Sequence, residues 1–546
     1  NQRKGGPSDM ASELCIVDAR ILTMNSADEV AEAMRVVDGG IVQVGTTAEV
    51  LAAKGAGAEV VELAGATVIP GLIDAHSHIE MLAYAWEIAV DVRSPGIASI
   101  EQLVSVMAQA AQDVPAGRWI MGHGQHFQDV MLAEGRYPDR HDLDRVSAEH
   151  PVFYRSSYHL NVFNSRALEV LGVDRDTPDA RGGRIERDEQ GEPTGRTYDM
   201  FDPLGGPQAP VPELADAIAR VQQRYLAVGV TALGEISLRS HGFEAMLALA
   251  ARDDFRLRAT LYATSPSVVD AEAVRSGGLR ARFAGLDESR LRLGGVKLFL
   301  DGGLTSNAAA LSFDYPSLPG YRGELAYTDE EIAELVRLVD EADLQLSAHA
   351  IGDRALDQVL AALDRLPAES RRRRHRIEHA GNIWMTPERI AKLVELGAVP
   401  VPQPAFILTT ALGYRRNLGE VVGTLMPFRT LLDAGLSLPG NSDAIGITAD
   451  QHDPFPAIQA SVTRMTHAGE PVDPAEAITV VESLGMYTRD AAFAIGRETE
   501  IGSLEPGKRA DFAVLDEDLL AIDPAAIGAV RPRSTWIDGT RVFSRD

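Results

Sequence analysis

Five potential metal ligands and one lysine recur in or at the ends of apolar runs. His76 and His78 close the run Val68-Ile-Pro-Gly-Leu-Ile-Asp-Ala-His-Ser-His78, where a spacing of two puts both imidazoles on one side of an extended chain. Lys297 lies in Gly295-Val-Lys-Leu-Phe-Leu-Asp301, His349 ends Leu346-Ser-Ala-His349, His379 ends Arg376-Ile-Glu-His379, and Asp443 ends Leu438-Pro-Gly-Asn-Ser-Asp443. Imidazole nitrogens suit zinc and its first-row neighbours, whereas calcium or magnesium would want an all-oxygen cage. Each residue also has an ordinary reading: a hydrogen-bonded core histidine, a snorkelling lysine, an aspartate that forms a turn or caps a helix. Spread over five strands, in an order that a barrel would bring to one face, they read together as a metal centre.

The elements that must position them follow from periodicity. Eight apolar runs read as strands: Thr67–Asp74, Gly229–Glu235, Leu257–Ala263, Leu293–Asp301, Leu344–His349, His375–His379, Gly397–Gln403 and Leu436–Asp443. Helical patterns separate the later ones. Thr328 with Glu331 predicts a capping box, and Thr386-Pro387 starts a helix that Gly397 ends. Strands alternating with helices give a parallel sheet, and eight close a (β/α)8 TIM barrel, so the expected class is α/β. Short strand-like pieces occupy both chain ends and predict one composite β-sandwich from residues 10–66 and 500–546. The barrel then takes 67–84 and 211–499. The stretch between its first two strands is too long for a βα connection, so 85–210 reads as an inserted subdomain over the barrel mouth, with a lid as its expected role.

Composition narrows the partners. A net charge of −27 disfavours nucleic acid and anionic membranes, which need clustered Lys and Arg. The Arg371–Arg374 run reads as a solvated segment against that background. One cysteine, Cys15, excludes an internal disulfide and a Cys-cluster zinc site. No apolar run approaches the roughly 20 residues that span a bilayer, and Asn1–Asp9 lacks a signal-peptide core. A cytoplasmic location and a small-molecule substrate are therefore expected, with homo-oligomerisation left open.

These segments, with Ala348-His-Ala-Ile-Gly-Asp-Arg-Ala355 and Gly502-Ser-Leu-Glu-Pro-Gly-Lys-Arg-Ala-Asp511, resemble the amidohydrolase superfamily, in the branch that includes the N-substituted formamide deformylases. The resemblance implies two divalent metal ions, most readily zinc: His76, His78 and Asp443 on one, His349 and His379 on the other. It also implies that Lys297, N6-carboxylated, bridges them, because an ammonium has donors only and carboxylation supplies two acceptor oxygens. A water held between the two cations would lose its proton near neutral pH and attack the carbonyl of a small N-acyl or N-formyl amine. Asp443 would serve as general base, then acid. Deamination, cyclic amide or urea hydrolysis, and a non-hydrolytic lyase or isomerase reaction are the alternatives on the same site. His126, His159 and Gln403 are the expected substrate contacts. His123 and His452 are read as solvent-exposed or facing substrate. The chain departs from the branch in Gln403-Pro-Ala-Phe406, Gly122-His-Gly-Gln-His-Phe-Gln-Asp129 and Asn441-Ser-Asp-Ala-Ile445, all on the expected substrate side.

Overall fold

The computed structural model describes residues 12–545 except 126, 127, 158, 159, 181, 182, 201–203, 205, 305, 447 and 449. Seven parallel strands share one sheet: β1 (Leu72–Ser77), β2 (Val230–Ser237), β3 (Arg258–Thr264), β4 (Leu291–Phe299), β5 (Gln345–His349), β6 (Arg376–Glu378) and β7 (Val399–Val401). Sequence neighbours are spatial neighbours throughout, the order of a barrel wall.

Two of the expected strands differ from the structure. The eighth position is filled by residues 436–443, which close the barrel without forming a ladder. Ala75 N–H donates to Gly440 O at 3.1 Å and Asp443 N–H to His76 O at 3.0 Å, while Asn441 Nδ2 reaches Pro402 O at 2.6 Å. Pro439 has no N–H to give, so regular pairing cannot propagate through it. The first expected strand, Thr67–Asp74, divides at Gly71. Thr67–Pro70 belongs to the sandwich, and the barrel strand starts at Leu72. A Cβ on Gly71 would lie 2.2 Å from Thr231 Oγ1, so only glycine lets the chain cross there against β2.

The sandwich joins the chain ends. One sheet orders Gly40–Gly45, Ala33–Val37, Glu13–Val17 and Glu59–Glu62; the other orders Thr540–Ser544, Ser534–Ile537, Phe512–Leu515, Thr67–Pro70, Arg20–Leu22 and Val30–Ala31. Leu14, Ile16, Met34, Val68, Phe512 and Trp536 are buried in their shared core. In the insert, a six-stranded sheet runs from Val90–Asp91 through Ile120–His123 and Val152–Ser157 to Arg184–Arg187, with the helix Ile100–Ala111 against it.

Helices pack outside the barrel with apolar stripes inward. α1 (Asp329–Glu341) starts at the predicted Thr328/Glu331 capping box, and α2 (Pro387–Leu396) runs from Thr386 to a left-handed Gly397 as expected. Val336 and Leu393 from these helices join Leu298, Leu346 and Ile377 from the strands in the main core. Each such side chain contributes about 1.5–3 kcal/mol by leaving water. Among the described residues, no helix is long and apolar enough to cross a membrane.

Candidate metal centre

Strand alternation aims the first ligand. Asp74 and His76, two apart on β1, share a face, and His78 begins the short helix that follows. His76 Nε2 and His78 Nε2 lie 3.2 Å apart, and Asp443 Oδ1 lies 3.4 Å from the first and 3.3 Å from the second. Ligand atoms of these three residues all fall within 4.8 Å of one another. His349 ends β5 and His379 follows β6. The His379 ring stands edge-on to His349, 4.6 Å between centroids, and 5.6 Å from His76.

Lys297 reaches the same space because β4 carries a bulge. Leu261 pairs with Leu293 but Tyr262 with Gly295, so Gly294 is the extra residue. Before it, Leu291 and Leu293 face the outer core; after it, Val296, Leu298 and Leu300 do. The change of parity turns Lys297 and Phe299 to the barrel interior, where both line a cavity of about 420 Å³ together with His76, His78, His349, His379 and Asp443.

Does this set of residues fit a metal ion? Three of the histidines have Nδ1 committed to an atom that can only accept: His76 donates to Glu378 Oε2 at 2.6 Å, His78 to Ile236 O at 3.2 Å, and His379 to Gln403 Oε1 at 2.8 Å. With the proton fixed on Nδ1, each Nε2 offers a lone pair. Two such lone pairs and a carboxylate oxygen within 3.4 Å repel one another, and a cation between them turns that repulsion into binding. His349 Nε2 lies 3.6 Å from Asp301 Oδ1, too far for a hydrogen bond.

Burial favours the neutral, ligating form of His76 and His379. Burial lowers the pKa of His76 to about 3 and also lowers that of His379. For His78 burial pulls down too, but the hydrogen bond and charge of Asp443 outweigh it and raise the value. Burial alone would raise Asp443, yet His76, His78 and His379 together hold it below the usual carboxylate range. Lys297 is fully buried, its Nζ has no hydrogen-bond partner among the described residues, and burial lowers its pKa to about 8. About a tenth is then uncharged amine at pH 7, far more than in an exposed lysine.

Behind the ligands stand residues that the sequence reading left unassigned. Glu378 accepts from His76 Nδ1, from Ser347 Oγ at 2.7 Å and from Arg376 Nε at 2.8 Å. Asp74 accepts from Ser442 N at 3.0 Å and Ser442 Oγ at 2.5 Å, fixing the residue next to Asp443. Asp301 takes the N–H groups of Ala310, Ile351 and Gly352. The available signal was the spacing of two in Asp74-x-His76 and Arg376-x-Glu378, polar pairs on one face of otherwise apolar strands.

Gln403, expected against substrate, is buried behind His379, with Nε2 donating to Val401 O at 3.0 Å. His126 and His159 lie outside the described residues. His452 is buried, edge-on to Trp86 and Tyr225, and His123 is buried against Gly446 O. The outer cavity wall is largely apolar, with Met131, Leu238, Leu304, Ile351, Phe406 and Tyr414.

A barrel with polar ligands gathered at the C-terminal strand ends defines a metal-dependent enzyme. The model of the amidohydrolase family matches residues 59–543. N-substituted formamide deformylase of Arthrobacter pascens is 30% identical over 98% of each chain, and protein LONG AFTER FAR-RED 3 of Arabidopsis thaliana is 30% identical over 93% of this chain and 88% of its own. The crystal structure of a metal-dependent hydrolase from Pyrococcus horikoshii superposes with a TM-score of 0.74 at 25% identity, covering 94% of this chain and 99% of its own. The chain belongs to the amidohydrolase family and is a metal-dependent hydrolase.

Proposed function

We propose that this enzyme hydrolyses the C–N bond of a small amide, an N-acyl or N-formyl amine, at a centre of two divalent cations for which the histidine-rich donor set favours zinc. The observation that carries the reading is the convergence of His76 Nε2, His78 Nε2 and Asp443 Oδ1 inside the cavity that Lys297, His349 and His379 also line. The relative from Arthrobacter pascens, named for action on N-substituted formamides, supports the C–N bond as target.

His76, His78 and Asp443 would hold the first cation, and His349 and His379 the second. Lys297 would be a further ligand once its neutral amine has added to carbon dioxide; the new N–C bond gives a carbamate anion, and one proton is released. The partnerless, neutral-prone Nζ supports that step. When bound, the cations lower the pKa of water toward neutrality and polarise the substrate carbonyl. Asp443, held ionised by the histidines, takes the proton of the attacking water and returns it to the leaving nitrogen as the C–N bond breaks. The apolar wall seats the substituents and keeps bulk water from the reacting carbonyl.

The test is metal content by plasma mass spectrometry on chelator-free protein, beside Lys297→Ala, followed by turnover of an amide library. About two first-row metals per chain, falling in the variant, with amide turnover that Asp443→Asn lowers by ~10²–10⁴, are the expected results. One metal indifferent to Lys297 would replace the bridged pair with a single-cation site of His76, His78 and Asp443, and would turn the reading toward deamination. No metal after reconstitution with bicarbonate would overturn it.

A further inference from the structure

The loop that begins at Asp443 is gripped from outside the barrel at one carbonyl. Gly446 O accepts from His123 Nε2 at 2.8 Å and from Arg93 Nη1 at 3.1 Å. A carbonyl only accepts, so His123 carries its proton on Nε2, and the two donors together satisfy both lone pairs of the oxygen. Both donors belong to the inserted subdomain. His123 ends the strand Ile120–His123 and lies opposite Asp91 in the neighbouring strand. Asp91 in turn holds the Arg93 guanidinium with both oxygens, at 2.8 and 2.6 Å. Val92 N–H donates to His123 O at 2.9 Å, so the two prongs share one rigid base.

The fit is close. Gly446 has φ 87°, and a Cβ there would lie 2.3 Å from Ala85 Cβ and 3.0 Å from His123 Nε2. His123 is buried, and burial lowers its pKa to about 4, which leaves it a neutral single donor across the working range. Neither His123 nor Arg93 lines the cavity.

Asp443 needs such a hold. It is a non-glycine residue at φ 47°, a conformation that persists only where the surroundings over-determine it. Its N–H is tied to His76 O, and its carbonyl accepts from Gln451 Nε2 at 3.1 Å. Three residues further on, the chain meets His123 and Arg93.

We propose that His123 and Arg93 form a two-pronged latch on Gly446 O through which the inserted subdomain sets the backbone of the Asp443 loop, making both of them positioning residues for proton transfer. This rests on the hydrolase reading, in which Asp443 carries the proton. The insert then serves as a brace on the catalytic loop, a task distinct from opening and closing over the cavity.

The experiment compares His123→Ala, His123→Gln, Arg93→Ala and the double alanine variant with the unaltered metal-loaded enzyme on an amide that it turns over. Kinetics are paired with metal content and with hydrogen–deuterium exchange over 443–451. A displacement of about 1 Å at a reacting group costs on the order of 10²-fold, so His123→Ala should lower kcat by ~10–10²-fold, with KM and metal content nearly unchanged. Exchange in 443–451 should quicken. His123→Gln, which replaces one N–H donor with another, should recover most of kcat. The two alanine substitutions should be non-additive, because they act on one carbonyl. Wild-type kcat and exchange in His123→Ala and Arg93→Ala, or a loss that His123→Gln fails to restore, overturns the latch. Should Asp443→Asn keep full turnover, the hydrolase reading falls, and the latch with it.

Discussion

Glu378 lies beyond the reach of water, with Arg376 on one side and His76 on the other; the Arg376 and Glu378 side chains are both 0% exposed. Its carboxylate does two things at once: it neutralises the guanidinium and fixes the tautomer that leaves His76 Nε2 bare. Glu378→Gln keeps the shape and removes the charge, so Arg376 loses its counter-ion and one face of the amide presents a donor to a donor. Metal affinity should fall about 10–100-fold in competition with a chelating dye, as for other partners behind a metal ligand. The folded state should lose about 3–5 kcal/mol, read by chemical denaturation. Unchanged metal affinity would mean that His76 is oriented by something else. The candidate ligands stood out in the sequence because histidine, lysine and aspartate are out of place at the ends of apolar strands. Glu378 stood in the same quoted motif and went unassigned, because its partner is 302 residues away and only the closed barrel brings them together.

At the scale of elements, seven of the eight expected barrel strands and their order were legible from the alternation of apolar runs with helical patterns. What periodicity could not show was how each strand is aimed. Pro439 removes the donor that would have made residues 436–443 a ladder, and Gly71 cuts an apparently continuous apolar run into a sandwich strand and a barrel strand. The bulge in β4 is the most consequential of these. If β4 ran regularly through Gly294, Lys297 would share the parity of Leu291 and Leu293 and point into the helical shell. A Cβ on the adjoining Gly295 would lie 1.7 Å from Gln345 O, a backbone atom of β5 that cannot swing aside. Gly295→Ala must therefore push β4 from β5 beside the lysine. Its expected outcome is a lower melting temperature together with loss of the metal that depends on Lys297, measured on the same preparation. A stable variant with full metal content would show that the glycine is not what aims the lysine.

Across the whole molecule, the two ends of the barrel divide the work. The C-terminal strand ends carry the candidate ligands, while the opposite end is tied to the sandwich by buried charge. Arg258, at the start of β3, meets Asp511 with two hydrogen bonds at 2.6 and 2.9 Å and Asp538 at 2.7 Å. Asp511 Oδ1 also accepts the N–H of Asp538, and its carbonyl accepts that of Gly71, the glycine between sandwich and barrel. One aspartate from the C-terminal segment thus holds a barrel strand, a sandwich turn and the crossing between them. The composite sandwich was foreseen from strand pieces at both chain ends, but this tie was not, because Arg258 and Asp511 stand 253 residues apart and only the folded chain brings them together. Asp511→Asn leaves Arg258 with Asp538, which is partly exposed, as its one remaining counter-charge. Breaking a buried pair from one side costs about 3–5 kcal/mol, so the denaturation midpoint should drop markedly. Residues at this end of such a barrel serve stability and those at the other end serve chemistry, so kcat and metal content, measured well below that midpoint, should match the unaltered enzyme. A variant that melts normally but turns over slowly would reverse the assignment and make the sandwich contact part of the catalytic apparatus.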